Sequence, residues 1–213
     1  MKIQKFDLLV SLYVFCILVA ELMGGKTIPL LKLGSIHLSA SVAIFVIPLL
    51  FTINDVITEV YGPERTRSVI RSGLLMIFLV LLSSLFFTWL PPSSRFAASE
   101  SAYDTIFGLS ARISAASLTA FALAEFLDVA VFVRLKKRMR KRALWFRNNV
   151  SNFAAQLIDT VVFMSLAFYA FGTPLGENVT FLVGLIVPYW LVKCALSVVE
   201  TPLVYLGIRW LKK

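Results

Sequence analysis

Apolar and polar stretches alternate along the chain in a way that predicts six membrane-spanning helices. Apolar runs fall at about 6–24, 39–60, 68–90, 106–134, 149–172 and 179–208, each close to or above the roughly 20 residues that a spanning helix needs. Pro91-Pro92-Ser93-Ser94 ends the third run, because consecutive prolines cannot continue a helix, and Gly172-Thr173-Pro174-Leu175-Gly176 separates the fifth from the sixth. Residues 26–38 are too many for a tight helical turn and too apolar for a free loop. Ile28, Leu30, Leu33, Ile36 and Leu38 around Gly34 predict a short hairpin or re-entrant cap there, on the outer face. No internal repeat or low-complexity segment interrupts the pattern. The expected fold class is an all-α integral membrane protein, a single six-helix domain over residues 1–213, with a short outer hairpin between helices 1 and 2.

The basic residues between the runs predict the orientation. With the N-terminus inside, the cytoplasmic segments carry Lys2, Lys5, Arg65, Arg67, Arg71, eight basic residues between Arg134 and Arg147, and Arg209, Lys212 and Lys213. That makes sixteen, against Lys26, Lys32 and Arg95 outside, while Arg112 and Lys193 lie within spans. An excess of Lys and Arg in cytoplasmic loops then places both termini inside. The dense run from Arg134 to Arg142 resembles an RNA-binding arm, but beside a span it reads as a topology anchor near anionic headgroups, and no nucleic-acid partner is expected.

Composition agrees. The 213 residues are 59% hydrophobic and 15% charged, with a mean hydropathy of +0.84, more apolar than a soluble domain of this size can bury. The formal net charge of +9 is accounted for by the loops. Cys16 and Cys194 lie within apolar runs and predict neither a disulfide nor a metal framework, and His37 is the sole histidine, so no metal and no cofactor are expected. The run 6–23 lacks a small-x-small cleavage pattern and carries Glu21, which marks it as a retained span rather than a signal peptide.

Polar residues inside the runs are the candidates for chemistry, since a charge at a helix centre costs about 2.5–3.5 kcal/mol on insertion scales. In Asn54-Asp55-Val56-Ile57-Thr58-Glu59-Val60-Tyr61-Gly62 the helical period puts Asp55, Thr58, Glu59 and Gly62 on one face. Arg112 falls about 9 Å below the outer end of the fourth run, among small residues that allow close helix packing. It is about 160° round the axis from Asp128, so its expected partner is a carboxylate on another helix or on a ligand. Asn149, Asn152, Gln156 and Asp159 form a polar stripe on the fifth run; Tyr189, Lys193, Ser197 and Glu200 form one on the sixth, just after Pro188. The first run carries Asp7 and Glu21, and the fourth ends with Glu125 and Asp128.

Plain alternatives stand beside these. Asp7, Glu59 and Asn149 lie near the headgroups, and a Lys193–Glu200 or Lys193–Asp159 pair could serve packing alone. Yet six acids, Glu21, Asp55, Glu125, Asp128, Asp159 and Glu200, face two intramembrane cations, which predicts a polar cavity or pathway. Enzyme signatures are missing: no His-Glu-x-x-His, no Gly-x-Ser-x-Gly and no phosphate-binding loop occur. A membrane-embedded hydrolase with Asp55 and Asp128 as a dyad is the remote alternative, and the chain is not expected to be an enzyme.

The 54–62 stretch followed by Arg65 and Arg67, Ala111-Arg112-Ile113-Ser114-Ala115-Ala116-Ser117 with Glu125-Phe126-Leu127-Asp128-Val129, and Arg147-Asn148-Asn149-Val150-Ser151 with Gln156-Leu157-Ile158-Asp159-Thr160 resemble the queuosine precursor transporter (vitamin uptake transporter) family, as does the segment from Tyr189 to Lys193. The resemblance runs from about residue 6 to 208. It implies a multi-pass bacterial inner-membrane importer of 7-cyano-7-deazaguanine or 7-aminomethyl-7-deazaguanine for tRNA queuosine salvage. It also implies a fold related to the substrate-binding subunits of energy-coupling-factor transporters, so uptake of another vitamin or purine-like molecule is the alternative. Those subunits dock an ATPase module through small residues of the first helix. Ser11-Leu12-Tyr13-Val14-Phe15-Cys16 has no Ala-x-x-x-Ala face, which favours a transporter acting alone and leaves an ATPase partner open.

A guanine-like edge offers a ring N–H beside an exocyclic amine, which a carboxylate can accept as a pair. Asp159 or Asp55 could do so, with Gln156 or Asn54 on the carbonyl side, while Arg112 could serve the ring carbonyl and Glu21 or Asp128 an aminomethyl cation. The expected substrate-binding set is therefore Asn54, Asp55, Arg112, Gln156, Asp159 and Lys193. Glu21, Glu59, Glu125, Asp128, Asn152 and Glu200 are expected along a pathway or gate. Asp55 falls about 7 Å from the cytoplasmic edge, which makes Arg112 and Asp159 better placed for capture.

Overall fold

A computed structural model describes residues 4–33, 36–138, 144–199 and 201–212, with side chains described except at 31–38, 63, 124–155, 196–204 and 212. Helix α1 (Lys5–Met23) leads into strands β1 (Thr27–Leu33) and β2 (Ile36–Ser41) and a 3-10 turn (Val42–Phe45). Helices α2 (Ile47–Tyr61), α3 (Pro63–Trp89), α4 (Glu100–Arg138), α5 (Leu144–Phe168), α6 (Leu175–Val199) and α7 (Thr201–Lys212) follow. Among the described residues five helical stretches are long and apolar enough to cross a membrane: Lys5–Met23, Val42–Tyr61, Glu64–Trp89, Ala97–Leu123 and Leu175–Ala195. The fifth expected span corresponds to α5, whose apolar described part, Gln156–Phe168, is shorter than a crossing requires. The protein is a mostly helical, multi-pass membrane protein.

The expected hairpin is present as an antiparallel pair in which Thr27 faces Ser41 and Leu33 faces Ile36. Its register slips between Pro29 and Leu31, where Pro29 cannot donate to the ladder, the usual setting for a bulge. This strand takes Ser39, Ala40 and Ser41 out of what the apolar pattern assigned to the second span. A short apolar run has no period long enough to separate strand from helix, and here a complementary strand lies a few residues upstream. Ser41 fastens the hairpin: its hydroxyl donates to the Gly24 carbonyl at 2.6 Å and accepts from the Ala43 N–H at 3.1 Å. Val42 N–H donates to the Lys26 carbonyl at 2.9 Å, so the hairpin base closes onto the end of α1.

Three further boundaries differ from the sequence pattern. Arg65, Arg67 and Arg71 lie in α3 rather than in a loop, because the link between α2 and α3 is the single residue Gly62. The fourth helix is longer than expected, from Glu100 to Arg138. The sixth run is two helices, α6 ending at Val199 and α7 starting at Thr201, with Pro202 in the first turn, where a missing N–H costs nothing. α7 packs on α2 with Gly207 against Val56. It is tied to α1 by Lys5, whose Nζ donates to the Trp210 carbonyl at 2.9 Å and sits 5.5 Å from the indole centroid.

Among the described residues the core is three small clusters. Leu9, Tyr13 and Ile17 of α1 pack on Ile53, Val56 and Ile57 of α2 and Val69 of α3. Met164 of α5 packs on Leu182, Leu185 and Tyr189 of α6, and Ile113 and Ala116 of α4 on Ala167 of α5. Outward faces are equally apolar. On α3, Leu75, Phe78, Leu79, Leu82, Leu85 and Phe86 are all exposed, as a helix surrounded by lipid requires.

Gly62 stands at φ 85°, ψ 164°, a region essentially closed to any residue with a Cβ, and Pro63 starts α3 immediately after it. Nothing crowds the position, so the demand is conformational. Gly62→Ala should therefore destabilise the folded protein by about 1–3 kcal/mol, read as a lower thermal midpoint in detergent; an unchanged midpoint would mean that the corner relaxes freely.

Candidate functional site

A cavity of about 220 Å³ lies where α1, the hairpin base, α2, α3, α4, α5 and α6 converge. Its wall is largely apolar, with Ile17, Leu74, Ile77, Phe121 and Phe163 among the lining residues. Against this background stand a few polar groups: Tyr13 and Glu21 from α1, Ser41 from β2, Ser117 from α4, Asp159 from α5, and Tyr189 and Lys193 from α6. An apolar pocket with a few convergent polar groups is the usual form of a small-molecule site.

Helical spacing delivers these groups. Tyr13, Ile17 and Glu21 recur at intervals of four along α1, so one face of that helix presents all three. The same interval joins Tyr189 to Lys193 on α6 and Ser117 to Phe121 on α4. Pro188 lies inside α6 just before Tyr189; lacking an N–H, it leaves the carbonyl one turn back without its helical donor.

The strongest polar contact is an ion pair. Lys193 Nζ donates to Asp159 Oδ2 at 2.7 Å, joining α6 to α5, with side chains only 10% and 30% exposed. The ammonium also sits 5.6 Å from the centroid of the Tyr189 ring. Tyr189 itself is buried and lies within electrostatic range of both Asp159 and Glu21. Glu21 is 5% exposed, with the Ser114 and Ser117 hydroxyls beside its carboxylate and its Oε2 buried without a hydrogen-bond partner. Asp159 is thus matched by a cation at contact distance, and among the described residues Glu21 is not.

Of the residues expected to bind substrate, Asp159 and Lys193 line the cavity, as does Glu21, expected on a pathway. Asn54 is half-buried behind the wall, its amide within hydrogen-bonding reach of the Tyr13 hydroxyl. Gln156 is half-buried one turn before Thr160, which donates to its carbonyl at 2.7 Å. Asp55, Thr58 and Glu59 share a face, as the period requires, but that face is exposed and points away from the core residues Ile53, Val56 and Ile57. Glu125 and Asp128 lie on α4 and Asn152 on α5, with their side chains outside what is described, and Glu200 lies outside the described residues. Tyr13, Ser41 and Ser117 join the wall without having been expected there. The interval of four back from Glu21 could have found Tyr13, whereas Ser41 is brought in by strand pairing that no helical period reveals.

Arg112 departs from expectation. Its partners are carbonyls, not a carboxylate: Nε donates to the Leu166 oxygen at 2.7 Å and an Nη to the Tyr169 oxygen at 2.5 Å. The guanidinium also lies 5.7 Å from the Phe171 ring centroid. The last carbonyls of a helix have no intrahelical donor and carry its partial negative charge, so the C-terminus of α5 supplies what a carboxylate would have supplied.

The family model described as "Putative vitamin uptake transporter" matches residues 41–207. The chain belongs to this family. It is 30% identical over 195 residues to a Bacillus subtilis protein named "Probable queuosine precursor transporter", covering 90% of this chain and 79% of that one. A Haemophilus influenzae protein of the same name is 32% identical over 128 residues, and an Escherichia coli "Queuosine precursor transporter" is 29% identical over 128 residues. These two matches cover 60% and 59% of this chain and 51% and 53% of the relatives. No solved structure matches the chain. The family is one of transporters and not of enzymes.

Arg112 capping α5 gives a test that separates architecture from ligand contact. Arg112→Ala should lower stability by about 1.5–3 kcal/mol, the worth of hydrogen bonds from a charged donor. It should leave the ligand affinity of the protein that remains folded within about twofold, since the side chain does not line the cavity. Thermal unfolding and equilibrium binding on the same purified sample check both.

Proposed function

We propose that this protein imports queuosine precursors, 7-cyano-7-deazaguanine and 7-aminomethyl-7-deazaguanine, across the bacterial inner membrane for tRNA queuosine salvage. In this reading α5 completes a set of six spans, and the sixteen basic residues of the inner segments hold both termini in the cytoplasm. The observation that supports it best is the cavity carrying the Lys193–Asp159 pair and Glu21 beside aromatic lining residues. At about 220 Å³ it lies below the roughly 300–1,000 Å³ of drug-sized sites, which suits a ligand as small as one fused bicyclic base. The names of the three relatives supply the same substrate class.

Each group then has a role. Phe121, Phe163 and the Tyr189 ring offer faces for a flat heterocycle. Lys193 donates to a ring carbonyl while Asp159 keeps it charged and oriented, and Gln156 and Asn54 support the wall from behind. We further infer that the carrier works without an ATPase module: the exposed side of α1 presents Leu8, Leu12 and Phe15, bulky where a docking stripe would be small.

Expression in a bacterium that can neither make nor import the precursors should restore queuosine to its tRNA when either base is supplied. Asp159→Asn should abolish that rescue, because it leaves Lys193 without its counter-charge, a loss of about 3–5 kcal/mol for a broken buried pair. The double variant Asp159→Asn, Lys193→Met removes both charges and should regain folded yield without regaining uptake. No queuosine with the wild-type chain at normal membrane levels would sink the proposal.

A further inference from the structure

We propose that Glu21 is the specificity-determining residue of the cavity: its carboxylate accepts two adjacent N–H donors of the ligand, the ring N–H and the exocyclic amine of a 2-amino-4-oxopyrimidine edge. This deepens the transport reading above and rests on it.

Three observations point to Glu21 instead of Asp159, the other carboxylate in the wall. Asp159 Oδ2 is taken at 2.7 Å by Lys193. Glu21 has no such partner among the described residues: Oε2 is buried and receives no hydrogen bond, although the residue is 5% exposed. Beside it stand the hydroxyls of Ser114 and Ser117, which carry no charge. A carboxylate held this deep with an idle oxygen is costly unless something donates to it. The cavity is built to receive that donor from outside.

The form of the donor follows from the geometry of a carboxylate. Two oxygens about as far apart as the nitrogens of an amidine accept parallel N–H groups most strongly as a pair. A 2-amino-4-oxo ring presents that pair on one edge. On the next atom it presents a carbonyl, the group that the Lys193 ammonium, held by Asp159 in the lining of the same cavity, can bond. The two faces of the site are therefore complementary in sign to two neighbouring parts of one ligand edge. A ring with oxygen in place of the exocyclic amine would set a carbonyl against the Glu21 carboxylate. One that merely lacks the amine would leave an acceptor empty, and buried polar groups left unpaired are what give such sites their selectivity.

Exchanging carboxylate for amide inverts this preference, because an amide offers one acceptor and one donor, the complement of a 2-oxo edge. The experiment is binding to purified protein and uptake into proteoliposomes, wild type against Glu21→Gln, with 7-deazaguanine, 7-deazaxanthine and 7-deazahypoxanthine as probes. Wild type should prefer 7-deazaguanine over both others by roughly ten- to a hundredfold. Glu21→Gln should lose that margin and favour 7-deazaxanthine, a swap that a merely structural role would not produce.

An unchanged order of preference in Glu21→Gln, with wild type still binding, would overturn this inference and leave the transport reading intact. So would a variant that loses 7-aminomethyl-7-deazaguanine alone while retaining 7-cyano-7-deazaguanine, since Glu21 would then serve the ammonium and not the ring edge. Wild type that binds none of the deazaguanines would instead overturn the transport reading itself. Should Glu21→Gln fail to fold, Glu21→Asp keeps the charge but withdraws it by one methylene. It should weaken 7-deazaguanine about tenfold without changing the order; equal affinity for all three probes would count against the proposal.

Discussion

The ion pair between Lys193 and Asp159 is the contact on which the cavity depends. Each charge alone is expensive in a membrane interior, about 2.5–3.5 kcal/mol on insertion scales, and at 2.7 Å each removes most of the other's cost. The pair also spans α5 and α6, whose described interface includes the apolar packing of Met164 on Leu182 and Leu185. Apolar packing between helices in lipid has little solvent-driven preference for one register over another, since the surrounding chains are as apolar as leucine. A charged contact has one good geometry. It sets Asp159 and Lys193 at the same depth, and with them the polar level of the cavity.

The other wall is held by hydrogen bonds to backbone groups that helices leave open at their ends. Ser41 binds the carbonyl of Gly24, Ser110 of α4 donates to the Leu22 carbonyl at 3.1 Å, and Arg112 takes the carbonyls of Leu166 and Tyr169. Water cannot satisfy those carbonyls inside a bilayer, so small polar side chains from neighbouring elements do. One consequence is that α1 is anchored at the Glu21 end to both the hairpin and α4. Its middle is pressed on α3, where Gly73 leaves room for Tyr13 and Ile17. Glu21 is therefore carried on a fixed stretch of helix, as a residue reading a ligand edge needs to be.

How much of this is legible in the sequence varies with the kind of signal. Five span positions are, because a run of about twenty apolar residues suits a bilayer and little else. The Lys193–Asp159 pair is legible as one of two, since the polar stripes also allow Lys193 to pair with Glu200. The β2 strand is concealed within an apolar run, and the break between α6 and α7 is hidden because Pro202 falls in an apolar stretch that reads continuously across it. The carboxylate partner expected for Arg112 gives way to carbonyls because helix-end carbonyls leave no mark in a residue string. The placement of Glu21 beside the pair is a tertiary fact: α1 and α5 are far apart in the chain, and no spacing relates them.

The 54–62 stretch shows how a recognisable motif and a binding site can be separate things. Its acids stand on the exposed face of α2 and not in the cavity wall, and its best-defined local features are architectural. Thr58 donates to the Asn54 carbonyl at 2.7 Å and meets the Thr66 hydroxyl at 2.8 Å, bracing α2 against α3 across the Gly62 corner. The corner brings Thr66 and Val69 of α3 back along α2, with Val69 joining Ile53, Val56 and Ile57 in one cluster. That packing positions α3 so that Ile70, Gly73 and Leu74 reach the cavity. The stretch acts on the site through the course of the chain that follows it. Asn54 adds a polar contact to the back of the wall, its amide reaching Tyr13.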